Sequence, residues 1–288
     1  MRSIGMGKIG GFVIGGPTLS MTPVSLVHKD LVQAHVQELK KYAKERGAIF
    51  VSIETLEDEM AHLLDESGYS ESRDRVKKFV EPYTRCVDLT QTRDDLLMQM
   101  TEKGRYNVRY ASKKGVTVTH EKLDARHLDE WYALLSETAQ RDGFSLNPRS
   151  FFEALAQSPG DIMYFCAVSP QGYTIAQAIF IGYGSVGYYY YGASSSDPAD
   201  RKLQSTYLLQ YEMMCYAQQM GYRSYDFLGI SPPQAKKHHL SGVSEFKAKF
   251  GGEIIGHPSA RVAVLAPFDM YCYTLARKLK HLWGCIKR

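Results

Sequence analysis

Basic side chains in the last third of the sequence are the groups best suited to act on charged substrates. Arg201 and Lys202 lie in a polar loop, Ser194–Ser205, where they could hold a phosphate. An arginine fork matches the paired oxygens of a nucleotide or lipid diphosphate. Lys247 and Lys249 lie two residues apart on a predicted short helix, so they face different directions. From residue type alone, a solvent-exposed basic face is the simpler interpretation of these side chains.

The remaining candidates are an acid, a row of tyrosines and one further cation. Asp226 lies between two aromatic residues on a predicted strand, and we interpret it as a structural acid, with a general base as the alternative. Tyr188–Tyr191 alternate across the two faces of a strand, so most of them are expected to pack and one hydroxyl to line a cleft. Arg141 ends a predicted helix, where a cation is favoured with or without a substrate.

The sequence implies neither a metal site nor a redox cofactor. The loop Lys236–His239 has adjacent histidines without acids or cysteines nearby, so a solvated loop is expected and contact with RNA phosphate is the alternative. The five cysteines are odd in number, and the nearest pair, Cys272 and Cys285, is 13 positions apart. No disulfide framework or Cys–Cys metal knuckle follows, and a reducing, cytoplasmic setting fits best.

The overall composition is that of an ordinary globular protein, with 288 residues, 44% hydrophobic and 23% charged. The formal charge of +4 comes from the tail, because five bases and one acid follow Leu265 and the rest of the chain is neutral overall. A generally cationic nucleic-acid binder is therefore excluded. The uncharged stretch Ile162–Ser196 contains a proline, glutamines and glycines, which predict strands of a buried sheet and not a membrane span.

The predicted elements that would position these side chains form two units. Strand–helix–strand alternation in residues 8–53 favours a mixed or parallel sheet. A long basic helix, Thr92–Lys114, follows and joins the two halves. We place an incomplete first domain with this connecting helix at residues 1–105. The second domain, with a basic C-terminal helix, covers residues 106–288.

The second unit has the order strand, helix, helix, three strands, helix, strand, helix, strand. This order is compatible with the acyl-CoA N-acetyltransferase (GNAT) fold. A member that uses acetyl-CoA should have a glycine-rich loop after its central strand, where backbone N–H groups approach the pyrophosphate. The corresponding loop, Ser194–Ser205, has no glycine and carries two acids, which argues against CoA.

Five segments together resemble the Fem family of aminoacyl-tRNA-dependent peptidoglycan-bridge transferases. Their order and spacing carry the resemblance, which covers nearly the whole chain from about Gly10. It implies an α+β fold with twin GNAT-type domains, whose mixed sheets are flanked by helices. The family's segment before the first matched strand is not present, so the first domain is expected to be incomplete. The segments are Arg105–Arg109 with Lys113–Val116, Arg141–Phe144, Tyr191–Ser195 with Arg201, Tyr225–Ile230, and Gly242–Glu253.

The resemblance implies transfer of an amino acid from its tRNA ester to an amine of a muramyl pentapeptide stem. An oxyanion develops when the amine attacks the ester carbonyl, and a nearby cation stabilises it. The family match assigns this role to Lys247, with Phe246 shaping the acyl-tRNA end. It implies substrate contacts for four further residues, which are Arg201, Arg141, Glu54 and Tyr191.

The implied partners are aminoacyl-tRNA as donor and a UDP-linked or lipid-linked muramyl pentapeptide as acceptor, with no cofactor. The terminal helix has Leu275, Leu279, Leu282 and Trp283 on one side and basic residues on the other. This pattern favours peripheral contact with an anionic membrane, and packing on the last domain is the alternative. The expected location is the cytoplasm, at the inner membrane face, and the sequence does not give the oligomeric state.

Two other functions fit the same residues. A related GNAT-fold N-acyltransferase would act on another acceptor, and product analysis on different acceptors would separate it from the first hypothesis. A shortened homologue would bind the precursor or a partner without transfer, which the missing N-terminal segment favours. The presence of Lys247 and Arg201 argues against this second alternative.

Overall fold

Two separate β-sheets organise the chain in the computed structural model. The structure describes residues 2–6, 9–15, 29–55, 58–73, 76, 80–235 and 237–286. The first structural unit consists of Met1–Pro82 and Gly256–Arg288, and the second is the intervening Tyr83–Ile255. Helices pack against the sheet of each unit, so the α+β class predicted from the sequence is confirmed.

Strands and helices are interspersed along the whole chain. The chain begins with β1 (Arg2–Met6), β2 (Ile9–Gly15), α1 (Lys29–Glu45), β3 (Ala48–Glu54), α2 (Asp58–Glu66) and β4 (Ser70–Glu71). It continues with β5 (Tyr83–Asp88), α3 (Arg93–Met98), α4 (Glu102–Lys113), β6 (Thr117–Lys122), a 3₁₀ turn (Ala125–His127), α5 (Leu128–Asp142) and α6 (Arg149–Ala156). The central part holds β7 (Asp161–Val168), β8 (Thr174–Tyr183), β9 (Val186–Ser194), α7 (Pro198–Lys202) and α8 (Ser205–Gln219). The last elements are β10 (Ser224–Gly229), α9 (Ser241–Ala248), β11 (Glu253–Gly256), β12 (Arg261–Val264) and α10 (Pro267–Ile286).

The first sheet has the strand order β1-β2-β3-β12-β4, with β3 at its centre. Every residue of β3 is buried, because alternate side chains face helices on opposite sides of the sheet. Val51 packs in a cluster with residues of α1 and α2, and Phe50 packs against Tyr273 of α10 at a centroid distance of 5.6 Å. A strand covered on both faces reads as a continuous apolar run, which is the pattern of this segment.

The second sheet has the order β11-β5-β10-β9-β8-β7-β6, and its two faces carry separate cores. Phe165 of β7 joins the core under α4 and α8, whereas the adjacent Tyr164 joins the core under α5 and α6. The uncharged stretch Ile162–Ser196 thus supplies β7, β8 and β9, as predicted. Within the described ranges, no helix is both long and apolar enough to cross a membrane.

The division of the chain differs from the predicted boundary at residue 105. Residues 83–105 lie in the second unit, because β5 pairs with β10 and both Leu96 and Met100 are buried in the core under α4 and α8. The C-terminal segment lies in the first unit, because β12 pairs with β3. Pairing between strands so far apart in the chain leaves no local sequence signal, so the boundary could not be placed from periodicity.

The predicted connecting helix Thr92–Lys114 is two helices, α3 and α4. The Thr92 side chain caps α3 by accepting the N–H of Asp95, and the Thr101 hydroxyl caps α4 by accepting the N–H of Gly104 at 3.2 Å. A capping threonine inside the segment satisfies N–H groups that a helix start leaves without intrahelical partners. The chain therefore starts a new helix at Glu102.

Candidate functional site

The parallel strands β9 and β10 stop pairing before either strand ends. Their last paired residues are Tyr188 and Asp226, although β9 continues to Ser194 and β10 to Gly229. The register between β10 and β5 also shifts between Asp226 and Gly229. Backbone polar groups that leave a ladder need other partners. The end of β10 is therefore a place where side chains can bind the backbone.

Leu228 lies at this irregularity with a left-handed backbone, at a φ of 57°. Leucine rarely adopts this conformation, so contacts with neighbouring residues must stabilise the backbone of Leu228. The buried Asp226 provides the hold, since its Oδ1 accepts the N–H of Leu228 at 2.7 Å and also the hydroxyl of Thr84. These bonds support the interpretation of Asp226 as a structural acid.

Lys247 is a buried cation that binds the backbone at the same irregularity. Only 5% of its surface is exposed, and its Nζ donates to the carbonyl oxygens of Gly229 at 2.7 Å and Leu228 at 3.3 Å. A buried ammonium needs such acceptors to offset the loss of water. Because both acceptors are backbone atoms of β10, the conformation of Leu228 fixes where the ammonium lies. A fixed cation of this kind can stabilise negative charge that develops on an oxygen.

Phe246, next to Lys247 on α9, forms part of the wall of a cavity of about 680 Å³. Its ring packs edge-on against Tyr207, at a centroid distance of 5.2 Å, and against Phe250, at 5.1 Å. The wall therefore combines an aromatic surface with hydroxyl and basic groups. The other principal lining residues are Ser194, Ser195, Ser196, Arg201, Lys202, Ser205 and Thr206.

The basic part of the wall consists of Arg201, Lys202 and the first turn of α8. Arg201 and Lys202 are exposed, and neither side chain has a hydrogen-bond or ion-pair partner within the described ranges. Gln204, which precedes α8, has a left-handed backbone and provides no side-chain cap. The first N–H groups of a helix lack intrahelical acceptors and lie at its positive end. This part of the cavity therefore favours an anion, and phosphate is the anion that such helix starts commonly hold.

The amides of the loop before α8 do not fit a CoA pyrophosphate. Ser195 N–H donates to the Ile175 carbonyl at 2.9 Å, and Ser196 N–H donates to a Glu137 carboxylate oxygen at 2.5 Å. The N–H groups of Ala199 and Arg201 donate to Asp197. A pyrophosphate cradle needs several amides that point at the ligand, and the four amides named here are already bonded to groups of the protein. Among the described residues, no group of three or more His, Cys, Asp or Glu side chains could hold a metal ion.

Arg141 holds the loop at the cavity wall. Its guanidinium donates to the Ser194 carbonyl at 2.8 Å and the Ser195 carbonyl at 3.2 Å, and it forms an ion pair with Asp142. The hydrogen-bonded carboxylate of Asp142 raises the pKa of Arg141. These bonds position the cavity wall, and direct contact between Arg141 and a substrate stays a prediction.

The other two predicted residues are not among those that line this cavity. Tyr191 packs in the aromatic core with Trp131 and Phe152, and its hydroxyl accepts a hydrogen bond from Asn147 at 2.5 Å. Glu54 is buried at the end of β3 in the first unit, where it accepts the N–H of Val80 at 2.7 Å. Substrate contact by either residue stays a prediction.

The structure thus brings Phe246 and Arg201 to one cavity, with Lys247 adjacent in sequence and Arg141 bonded to the wall. Sequence reasoning did not identify Thr84 and Leu228, which set the position of the Lys247 acceptors. No sequence signal could have identified them, since a left-handed leucine is not encoded by its type. Tyr207 was also missed, although its place in the first turn after the Arg201 loop was a usable signal. In the loop at Lys236–His239, Lys236 lies outside the described residues, and the rings of His238 and His239 lie 4.3 Å apart.

Fold and cavity together define an acyltransferase of the GNAT type. A model of the acetyltransferase (GNAT) domain family matches residues 102–247, which is just over half of the chain, and the chain belongs to this family. The predicted GNAT-type fold is thereby confirmed.

Named relatives also confirm the predicted resemblance to the Fem family. The lipid II:glycine glycyltransferase of Staphylococcus aureus is 23% identical over an alignment of 307 positions, covering 79% of this chain and 72% of the relative. The crystal structure of FemX superposes with a TM-score of 0.76 at 20% identity, over 92% of this chain and 83% of that one. L-PGS from Bacillus licheniformis superposes with a TM-score of 0.59 at 16% identity, over 94% of this chain and 83% of that one. At these identities the two structures show a shared fold.

Proposed function

We propose that the protein moves an amino acid from aminoacyl-tRNA to the stem-peptide amine of a peptidoglycan precursor, as in the formation of a cell-wall cross-bridge. The observation that carries the proposal is the buried Lys247 ammonium, held by the Leu228 and Gly229 carbonyls next to the cavity-lining Phe246. The name of the Staphylococcus aureus relative, a lipid II:glycine glycyltransferase, supports an aminoacyl donor and a precursor acceptor.

The proposed reaction passes through an oxyanion, which needs a positive charge to stabilise it, and it uses no cofactor. The acceptor amine attacks the ester carbonyl, a C–N bond forms, and the carbonyl oxygen becomes negative. The Lys247 ammonium stabilises this oxygen in the transition state. The ester C–O bond then breaks, the amine loses a proton, and the ribose oxygen of the departing tRNA gains one. Phe246 shapes the place where the acyl end of the donor lies.

The acceptor carries a diphosphate in both its UDP-linked and its lipid-linked form. Arg201 and Lys202, beside the start of α8, offer exposed cations to these oxygens. Because a bidentate guanidinium matches two phosphate oxygens, Arg201 is assigned the direct contact. Arg141 is assigned the positioning of Ser194–Ser196 in the wall. Glu54, in the first unit, is assigned to the acceptor. Tyr191, in the second unit, is kept as a further candidate contact.

Peripheral contact with an anionic membrane is part of the proposal, through α10. Its residues Phe268, Tyr271, Leu275 and Leu279 recur at helical spacing and are exposed, with 77% of the Phe268 surface accessible. The structure does not describe the side chains of Leu282 and Trp283. The sequence from Leu265 onward carries five bases and one acid, which complements an anionic lipid surface. The protein would then act at the cytoplasmic membrane face, where a lipid-linked acceptor lies.

Transfer of label tests the reaction. The protein is mixed with tRNA charged with radiolabelled glycine, alanine or serine, together with a UDP-linked muramyl pentapeptide or its lipid-linked form. Wild type should place label on the peptide, Lys247→Ala should largely lose transfer, and Lys249→Ala should retain it. No transfer from any donor to either acceptor, by folded protein, would refute the proposed reaction.

Sedimentation with lipid vesicles tests the membrane contact. Wild type should bind vesicles that contain phosphatidylglycerol more strongly than vesicles of phosphatidylcholine alone. The double variant Leu275→Glu/Leu279→Glu should lose this binding and keep its activity on the UDP-linked acceptor. Equal sedimentation of the variant and wild type would remove α10 from the proposal.

A further inference from the structure

Helix α4 presents a basic and aromatic face to solvent. Residues 102–114 contain five bases and one acid. The helix packs into the second unit through Gly104, Asn107, Val108 and Ala111, which are all buried. We define the α4 face as six exposed or half-buried residues on the outer side of this helix, which are Lys103, Tyr106, Arg109, Tyr110, Lys113 and Lys114. The exposed Glu102 is the one acid of the helix and lies in its first turn. Tyr106 is the most prominent of them, with 62% of its surface exposed.

The cations of the α4 face are not neutralised by the protein itself. Lys103, Arg109 and Lys113 have no ion pair with any acid in the described part of the chain. The adjacent Arg105 differs, because its guanidinium donates to the carbonyls of Met98 at 2.9 Å and Met100 at 2.5 Å. A row of unneutralised cations on one helix attracts a polyanion.

The two tyrosines narrow the choice of polyanion. The rings of Tyr106 and Tyr110 stack at a centroid distance of 5.8 Å with 25° between their planes, and Lys114 Nζ lies 5.4 Å from the Tyr110 centroid. Solvent-facing rings next to cations are typical of surfaces that bind single-stranded or looped RNA, because bases stack on the rings while cations hold the phosphates. The outer side of α4 carries no exposed aliphatic stripe, so it does not suit a bilayer.

Helix α4 is also tied to the helix that carries Phe246 and Lys247. The N–H of Thr101, the cap of α4, donates to the carbonyl of Lys249 at 3.0 Å. Gly104 lies so close to this carbonyl that an added Cβ would come within 2.4 Å of the oxygen. The first turn of α4 therefore abuts the end of α9, and RNA on the α4 face would lie one helix away from α9, which carries Lys247.

We propose that the α4 face binds the RNA portion of the aminoacyl donor. The inference rests on the proposed function for the identity of the RNA. The binding itself depends only on the charge and stacking of the α4 face. Arg109 and Lys113 hold phosphates, and Tyr106 stacks with an unpaired base.

Binding of uncharged tRNA, measured by fluorescence anisotropy across a salt series, tests the surface. Arg109→Ala/Lys113→Ala should weaken binding about tenfold or more and lower the slope of log Kd against log salt by about 2. The matched control Lys41→Ala/Lys44→Ala removes two exposed lysines of α1 and should change binding less than about twofold. Equal losses in the two double variants would overturn the proposal.

Two variants of Tyr106, one without the aromatic ring and one that keeps it, test the stacking role. Tyr106→Leu should weaken tRNA binding about tenfold, whereas Tyr106→Phe should bind as wild type does, since the ring remains. Equal binding by Tyr106→Leu and wild type would overturn the stacking role.

Transfer from two donor substrates, one long and one short, separates this inference from the proposed function. With full-length charged tRNA, Arg109→Ala/Lys113→Ala should raise the donor KM about tenfold. With a short aminoacylated fragment of the tRNA 3′ end, the variant should match wild type. If wild type transfers from neither donor but the variant still loses tRNA binding, the reaction is wrong and the RNA surface stands. If the variant uses full-length tRNA as wild type does, the RNA surface is wrong.

Discussion

Two basic regions of the second unit, Lys247 on α9 and the Arg201–Lys202 pair at the end of α7, are held in opposite ways. Lys247 is buried, and two backbone carbonyls of β10 hold its ammonium. Arg201 and Lys202 are exposed, and their side chains have no partner within the described ranges. A cation fixed in place costs little reorganisation when charge develops beside it, which favours a role in the transition state. A mobile, solvated cation adapts to a ligand and contributes to binding in the ground state as well.

The fixed position of Lys247 can be disturbed without changing the lysine, and among the variants that keep Lys247 and Arg201 we expect this one to have the largest effect. Asp226→Ala leaves the Leu228 N–H and the Thr84 hydroxyl without their shared acceptor. We expect the free energy of unfolding to fall by about 1–3 kcal/mol for each orphaned group. Because the Lys247 acceptors move with Leu228, kcat should fall about 100-fold. Thermal denaturation and steady-state kinetics measure the two effects.

Asp226→Asn is the matched control for this loss, because it keeps the Oδ1 acceptor and removes the charge. It should restore most of kcat if geometry is what matters. A kcat as low as that of Asp226→Ala, in a protein as stable as wild type, would show that the carboxylate charge acts directly and would contradict the positioning role.

Phe246 sharpens the comparison, because it borders Lys247 in sequence and lines the cavity that Arg201 also lines. Phe246→Leu removes the edge-on contacts with Tyr207 and Phe250, each of which contributes about 0.5–1.5 kcal/mol. We expect the KM for the charged tRNA donor to rise about tenfold, with a smaller change in the acceptor KM. Phe144→Leu, at an exposed phenylalanine outside the cavity wall, is the control and should leave both constants unchanged. Equal changes in the two KM values would contradict the donor assignment.

Glu54 extends the comparison to the first unit, where the proposed acceptor contact is a buried acid. Glu54→Gln keeps an oxygen for the Val80 N–H and removes the charge. We expect the acceptor KM to rise about fivefold, since a hydrogen bond to a neutral group contributes about 1 kcal/mol less than one to a charged group, while the melting temperature changes little. An unchanged acceptor KM would make Glu54 a purely structural residue.

Tyr191 belongs to neither basic region and should show the smallest effect. Tyr191→Phe removes the acceptor for the Asn147 amide and keeps the ring in its aromatic core. The free energy of unfolding should fall by about 1 kcal/mol, and both KM values should stay within about twofold of wild type. Chemical denaturation and initial rates measure these quantities. A larger rise in the acceptor KM would support the substrate contact that the sequence predicts for this residue.

The sequence was informative wherever a local pattern sufficed. Alternation and turn residues predicted β7, β8 and β9, and the order of elements and motifs predicted the GNAT-type fold. The roles assigned to Lys247 and Phe246 stay predictions. It could not predict that β12 pairs with β3, because a strand of four residues carries no signal for a partner so distant in the chain. The sequence also could not predict the left-handed backbone of Leu228, because this conformation depends on Asp226 and Thr84, which come together only in the fold.

The most direct test of the two roles measures kcat and both KM values for Lys247→Ala and Arg201→Ala side by side, with charged tRNA and the UDP-linked acceptor. We predict that Lys247→Ala lowers kcat about 100- to 1,000-fold and leaves the KM values within about threefold of wild type. Arg201→Ala should raise the acceptor KM about tenfold or more and leave kcat nearly unchanged. If both variants changed the same constant, or if Lys247→Ala raised KM with kcat intact, the division between a reacting cation and a binding cation would be wrong.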